Sequence, residues 1–196
     1  MGGTMTAVPD WLIPPVGGFT ADDLDRLPDL PPHTELLDGS LVFMSPQKFF
    51  HSLVMYLLEQ GLRSTAPEDL QVVREMTVTL GPRDRPEPDI CVVQASAVSE
   101  DAEETGFQAA DVLLAVEVVS PESVERDRDT KPRKYAQAGI PHFWRVEKAE
   151  GRRPVVYVFE LEPATRTYVV TGIHHERLKT GVPFTIDIDL TAIDRL

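Results

Sequence analysis

The segment that most constrains this fold is Val-Leu-Leu-Ala-Val-Glu-Val-Val, residues 112–119, the longest strongly apolar run in the chain. A short run that is apolar on both alternating faces reads as a strand buried on both sides. At eight residues it is far short of the ~20 needed to span a bilayer as a helix. Glu117 stands inside it. An unpaired carboxylate there costs several kcal/mol or stays protonated. A cation, a basic side chain or a metal must compensate it, unless the Glu sits at the strand end and reaches solvent or an Arg.

Asp89 is the natural partner. It opens Pro88-Asp89-Ile90-Cys91-Val92-Val93, a second strand, and residues 95–111 form a loop with five acids and no base. That loop lets the two strands pair antiparallel. Two carboxylates on neighbouring strands and one face repel each other unless a cation lies between them. An all-oxygen site suits Mg²⁺ or Mn²⁺ better than Zn²⁺. The plainer reading of Asp89 is a turn residue after Pro88.

The third element is basic. Residues 125–148 carry seven bases and four acids in a chain whose formal charge is −13. A helix over 129–138 is expected, capped by Asp129 or Thr130, with Pro132 in its first turn and Gly139 as the residue after its end. A lysine from it can lean over the acids, where it could orient or deprotonate a water or stabilise developing phosphorane charge. For most of these bases a solvated helix face is the plainer reading.

Around these elements the pattern is mixed. Residues 1–32 read as an arm with one short helix capped by Thr20, the first 19 being flexible. Two apolar runs flank Asp38-Gly39, a hairpin signal. Residues 48–63 carry an apolar stripe at helical spacing. Residues 70–80, 89–93, 112–119, 141–147, 154–161, 166–171 and 183–188 read as strands. The expectation is one α+β domain over 1–196.

These fragments in combination resemble the PD-(D/E)xK nuclease superfamily, and within it a large bacterial restriction-endonuclease-like family. The matching stretches are Glu35-Leu36-Leu37-Asp38-Gly39 with Met44-Ser45-Pro46 and His51, then Arg85-Pro86-Glu87-Pro88-Asp89. Glu117-Val118-Val119-Ser120-Pro121 follows, then Lys131, Tyr135, Gly139-Ile140-Pro141 and Phe143-Trp144. The resemblance spans about residues 20–150. It implies a restriction-endonuclease-like core, a central mixed five-stranded sheet flanked by helices, with additional C-terminal strands. It further implies a divalent-metal-dependent endonuclease that hydrolyses DNA phosphodiesters with a metal-activated water. Asp89 and Glu117 would bind Mg²⁺ or Mn²⁺ with the backbone carbonyl of Val118, and Glu35 could add a carboxylate. The superfamily's lysine normally stands two residues after the Glu, where this chain has Val119. Lys131 on the helix takes that role, with Lys134 as runner-up. Pro132 bears on where the helix begins and where Lys131 points. Lys134 and Arg128 are candidate DNA contacts. The other reading is a catalytically silent nuclease fold serving as a binding or regulatory module. Cutting both strands of a duplex suggests a homodimer.

Other candidates read blandly. His174 and His175 point to opposite faces of a strand and do not grip one ion. His51 lies at the edge of the apolar stripe, where it can approach the site or simply sit on the helix face. Cys91, Phe143 and Trp144 read as core. No phosphate-binding glycine loop and no zinc-type cysteine spacing is present. The first residues lack a signal-type pattern, so a cytoplasmic protein free of the membrane is expected. The charge of −13 argues against a basic nucleic-acid coat. It is nonetheless polarised: residues 1–40 carry a net −6 and residues 95–111 a net −5. Non-specific DNA affinity should be weak and salt-sensitive.

Overall fold

The computed structural model describes residues 9–149, 151 and 153–196. Residues 1–8 of the expected arm lie outside the described residues. The arm's end is anchored: Phe19 donates its N–H to the Gly39 carbonyl and packs with Ala21 on Leu36. Thr20 caps a 3₁₀ turn, Ala21–Asp25, through a reciprocal pair with Asp23.

The hairpin is β1 (Thr34–Leu37) and β2 (Ser40–Phe43), with Asp38 and Gly39 at positive φ in its turn. Helix α1 (Phe49–Arg63) buries Val54, Leu57, Leu58 and Leu62 along its stripe. Then come β3 (Leu70–Arg74), β4 (Thr77–Thr79), β5 (Ile90–Gln94), β6 (Gly106–Gln108) and β7 (Val112–Val118). The expected strand over 70–80 is broken at Glu75, which takes a positive φ and donates its N–H to the Asp89 carbonyl. One π turn, Arg126–Thr130, runs into helix α2 (Lys131–Ala138), so the helical path begins earlier than the caps suggested. Gly139, at φ 89°, ends it. The chain finishes with β8 (His142–Lys148), β9 (Pro154–Glu162), β10 (Thr167–His174), β11 (Arg177–Thr180) and β12 (Ile186–Asp189).

The central sheet has six strands rather than five, in the order β10-β9-β8-β7-β5-β3. The additional strand is β10, which continues the β8–β9 meander as an antiparallel edge. Within this sheet only β7 and β8 run parallel, and α2 supplies the crossover that parallel neighbours require, while β4 and β6 form a separate two-stranded parallel pair. β11 and β12 form a separate hairpin. No described helix is long and apolar enough to cross a membrane.

Side-chain alternation sorts the two faces. Leu114, Val116 and Val118 of β7, with Ile90 and Val92 of β5, pack in the cluster built on α1 and the β11–β12 hairpin. Gly61 lets α1 lie against β12, since a methyl group there would stand 2.5 Å from Ile188. Ala115 of β7 and Cys91 of β5 belong to the other cluster, with Tyr135 of α2 and Phe143. Residues two apart on a strand share a face. Glu117 therefore shares Ala115's face and Asp89 shares that of Cys91, both on the α2 side.

Candidate functional site

The pairing of β5 with β7 is antiparallel, and its last register is Ile90 with Val116. Just past it the backbone of β7 faces the Asp89 side chain instead of a strand. Asp89 Oδ2 accepts the Val118 N–H at 2.6 Å, and Oδ1 meets His51 Nε2 at 3.0 Å. A residue's N–H and C=O leave an extended strand on the same side. The Val118 carbonyl thus shares the edge that Asp89 occupies.

Glu117 is 2 % exposed and has two partners. Its Oε2 takes Lys131 Nζ at 3.0 Å, and its Oε1 accepts the Tyr135 hydroxyl at 2.5 Å. Lys131 and Tyr135 are four apart on α2, so one helix face delivers both donors. Lys131 Nζ is also 2.7 Å from Glu35 Oε1 of β1 and 3.7 Å from Asp127 Oδ1 of the π turn. Glu35 is held in turn by the Glu87 N–H at 2.8 Å. Asp127 accepts a hydrogen bond from Ser123.

Three fully buried carboxylates therefore surround one ammonium, with Asp89 beside them. Burial pushes the Glu117 carboxyl well above the usual range, and the Lys131 charge does not cancel that push. Burial likewise raises Asp127, to about 6. Burial alone would lower Lys131, but the four carboxylates outweigh it and hold its ammonium charged. Burial raises the Tyr135 phenol well above its ordinary value, so it stays a donor. Burial would lower His51, but the Asp89 carboxylate more than offsets this and raises it.

Two buried oxygens, Glu35 Oε2 and Asp127 Oδ1, have no hydrogen-bond partner. Orphaned carboxylate oxygens in a cluster short of positive charge are what a hard, oxygen-loving cation satisfies. The donor set therefore fits Mg²⁺ or Mn²⁺. Among the described residues no three acidic, His or Cys side chains already stand around one ion position. Glu117 in particular spends both oxygens on Lys131 and Tyr135.

These groups floor a cleft of about 560 Å³. Asp89, Glu117, Val118 and Lys131 all line it, and Glu35 reaches the cluster from behind through Lys131. The two candidate DNA contacts do not line it. Lys134 lies 2.6 Å from Asp38 and 2.8 Å from Asp84, and Arg128 pairs with Glu147. The cleft's other cations are Lys48, 3.3 Å from Glu122, and Arg126. Asp127 was not singled out from sequence. Its signal was spacing, four residues after Ser123 and four before Lys131. His174 Nδ1 bonds the Arg177 carbonyl, and His175 is exposed, so that pair makes no site.

None of the curated proteins matches this chain. A solved structure from Anabaena variabilis, described as "a putative nuclease belonging to DUF820", superposes with a TM-score of 0.67. It is 16 % identical, over 89 % of this chain and 97 % of that one, so it shares the fold. The model of the Uma2 family, described as "Putative restriction endonuclease", matches residues 21–191, and the chain belongs to that family.

Proposed function

We propose that this protein is a divalent-metal-dependent endonuclease that hydrolyses DNA phosphodiester bonds. The observation that carries the reading is the cluster of buried carboxylates around one lysine, with Asp89, Glu117 and Asp127 lining an open cleft, and with Asp127 Oδ1 there and Glu35 Oε2 behind it lacking a hydrogen-bond partner. Membership of a family described as "Putative restriction endonuclease" supports it.

Asp89, Glu117 and the Val118 carbonyl would hold Mg²⁺ or Mn²⁺, with Glu35 and Asp127 adding negative charge. A bound ion of this kind neutralises phosphate charge and acidifies water at neutral pH. The remaining roles belong to the chain. His51 and the Val118 N–H fix both oxygens of Asp89, so its carboxylate is oriented before substrate arrives. Lys131 keeps its proton and acts as an electrophile, stabilising charge that builds on the phosphoryl oxygens as water attacks phosphorus and the P–O bond breaks. Val119 removes the usual lysine from the strand. Lys131 replaces it from α2, and its 3.0 Å contact with Glu117 brings the two groups together despite their separation of 14 positions.

The test is incubation of supercoiled plasmid and single-stranded DNA with Mg²⁺, Mn²⁺ or EDTA, repeated with Asp89→Ala, Glu117→Ala and Lys131→Ala. Cleavage should need the cation and be lost in both acid variants. Cleavage that survives EDTA overturns the reading. No cleavage, together with no cation-induced rise in Tm, marks a binding module instead. The full engagement of Glu117 is what favours that second reading.

A further inference from the structure

Resting on the nuclease reading, we infer that the cleft takes an unpaired DNA strand, stacking a base on the lip formed by Phe43 and Met44. Three observations carry this. First, one stretch of the cleft's lining is apolar and open. Phe43 is 45 % exposed and Met44 37 %, and both line the cleft beside Pro46. An aromatic ring at the end of a hairpin strand, left facing a polar cleft, lacks the packing that would explain it as core. Bases of any sequence stack on such a surface.

Second, the cleft is acidic. Glu75, Glu87, Asp89, Glu117, Glu122 and Asp127 line it, against Lys48, Arg126 and the enclosed Lys131, with His33 on Glu87 and His51 on Asp89. Lys48 already faces Glu122. Duplex DNA brings one charge per about 1.7 Å of axis and is tracked by basic grooves. This cleft has no such track. A single strand carries half that density and offers its bases to the wall.

Third, about 560 Å³ is the size of a small-molecule pocket. It admits a nucleotide or two turned out of a stack, and a duplex only where its strands are already separated. Segment 43–48 is tethered by Gln47 to Glu75 at 2.8 Å and by Lys48 to Glu122, two acids that also line the cleft. A single strand also needs only one cut, so the reason for expecting a homodimer lapses, and light scattering on the active species reports this directly.

The experiment compares labelled oligonucleotides of one sequence, single-stranded and blunt duplex, in Mg²⁺. The single strand should be cut with at least about ten-fold higher kcat/KM, and Phe43→Ala with Met44→Ala should raise its KM roughly ten-fold at nearly unchanged kcat. Phe43→Tyr should restore it. Phe49→Ala, whose ring is more exposed but outside the cleft, should change nothing. Lys48 and Arg126 are the cations that can meet phosphate, Lys48 only by leaving Glu122, so the salt slope for the single strand should be no steeper than about −1.4. Equal cleavage of duplex, or an unchanged KM in the double variant, overturns the inference and leaves the nuclease reading standing. If nothing is cut, that reading fails instead, and fluorescence anisotropy with the same oligonucleotides decides the lip. Single-strand preference lost in Phe43→Ala upholds it, and equal binding overturns it.

Discussion

Lys131 and Lys134 stand one turn apart on α2, and each ties the helix to the β1–β2 hairpin. Lys131 reaches Glu35 on β1, and Lys134 reaches Asp38 at the hairpin's turn, again three residues further on. The chemistry of the two pairs is the same and the surroundings are opposite. Lys131 and its three acids are almost wholly buried. Asp38 is 74 % exposed in its side chain, and water reaches the pair. An ion pair in water is worth about 0–1 kcal/mol, whereas breaking a buried one strands a charge. The same link is thus structural glue at one end of the hairpin and a tense, charge-deficient cluster at the other. Only the second borders the cleft.

The largest effect should come from Lys131→Met. It leaves Glu35, Glu117 and Asp127 buried without a cation and should cost about 3–5 kcal/mol at pH 7. For a chain of this size that lowers Tm by roughly 6–20 °C. The loss should shrink on acidification, as the stranded carboxylates take up protons. Thermal melts in EDTA at pH 5 and pH 8 check this. A loss below about 1 kcal/mol at both would mean that the cluster is wetter than its burial indicates.

Asp127→Asn should act in the opposite direction. Burial raises the folded pKa of Asp127 from 3.8 to about 6, so the folded chain holds this proton longer than the unfolded one. Stability therefore falls as pH rises from about 4 to 6. Asn keeps an acceptor for Ser123 and removes the titration. The variant should be more stable than the parent at pH 7 in EDTA, by up to about 3 kcal/mol, and equal to it near pH 4. Saturating Mg²⁺ should erase the advantage. Urea denaturation across that range measures it, and a variant less stable at pH 7 would show that Asp127 serves Lys131 more than it crowds Glu117.

Tyr135→Phe comes next. It deletes the donor to Glu117 Oε1 and nothing else in the packing, since the ring stays against Phe143. Hydrogen bonds to charged groups contribute about 1.5–3 kcal/mol, so a loss near 2 kcal/mol is expected by urea denaturation. No loss would mean that Glu117 leans on Lys131 alone.

Much of this site was legible in the sequence because strand periodicity is strict. A carboxylate inside an apolar run, and another at the head of the neighbouring strand, fall on one face by counting alone. The Asp38-Gly39 turn and the Gly139 stop were equally local. What counting misses is what depends on other segments. The break at Glu75 follows from a backbone bond to Asp89, fourteen residues on. The sixth strand joins because β9 offers an edge. Asp127 enters the cluster because a π turn precedes α2, and no cap residue announces a π turn. The basic helix promised DNA contacts at Lys134 and Arg128. Composition could not say that Asp38, Asp84 and Glu147 already hold them.

Lys134→Met should have the smallest effect, and it completes the comparison. Lys134 sits where Asp38 and Asp84 converge, and Asp84 Oδ1 also accepts the Asp38 N–H at 2.8 Å. Removing the lysine leaves both acids with other partners or with water, so no charge is stranded. Burial would lower the Lys134 pKa, but the two acids outweigh it, so the group is charged throughout the neutral range. The expected loss is below about 1 kcal/mol, and it should fade further in 1 M salt, where the screening length is about 3 Å. Parallel urea titrations of Lys131→Met and Lys134→Met, at low and high salt, separate the two ends of the hairpin. A salt-insensitive loss at Lys134 as large as that at Lys131 would mean that the hairpin needs both links equally, and that burial is not what sets Lys131 apart.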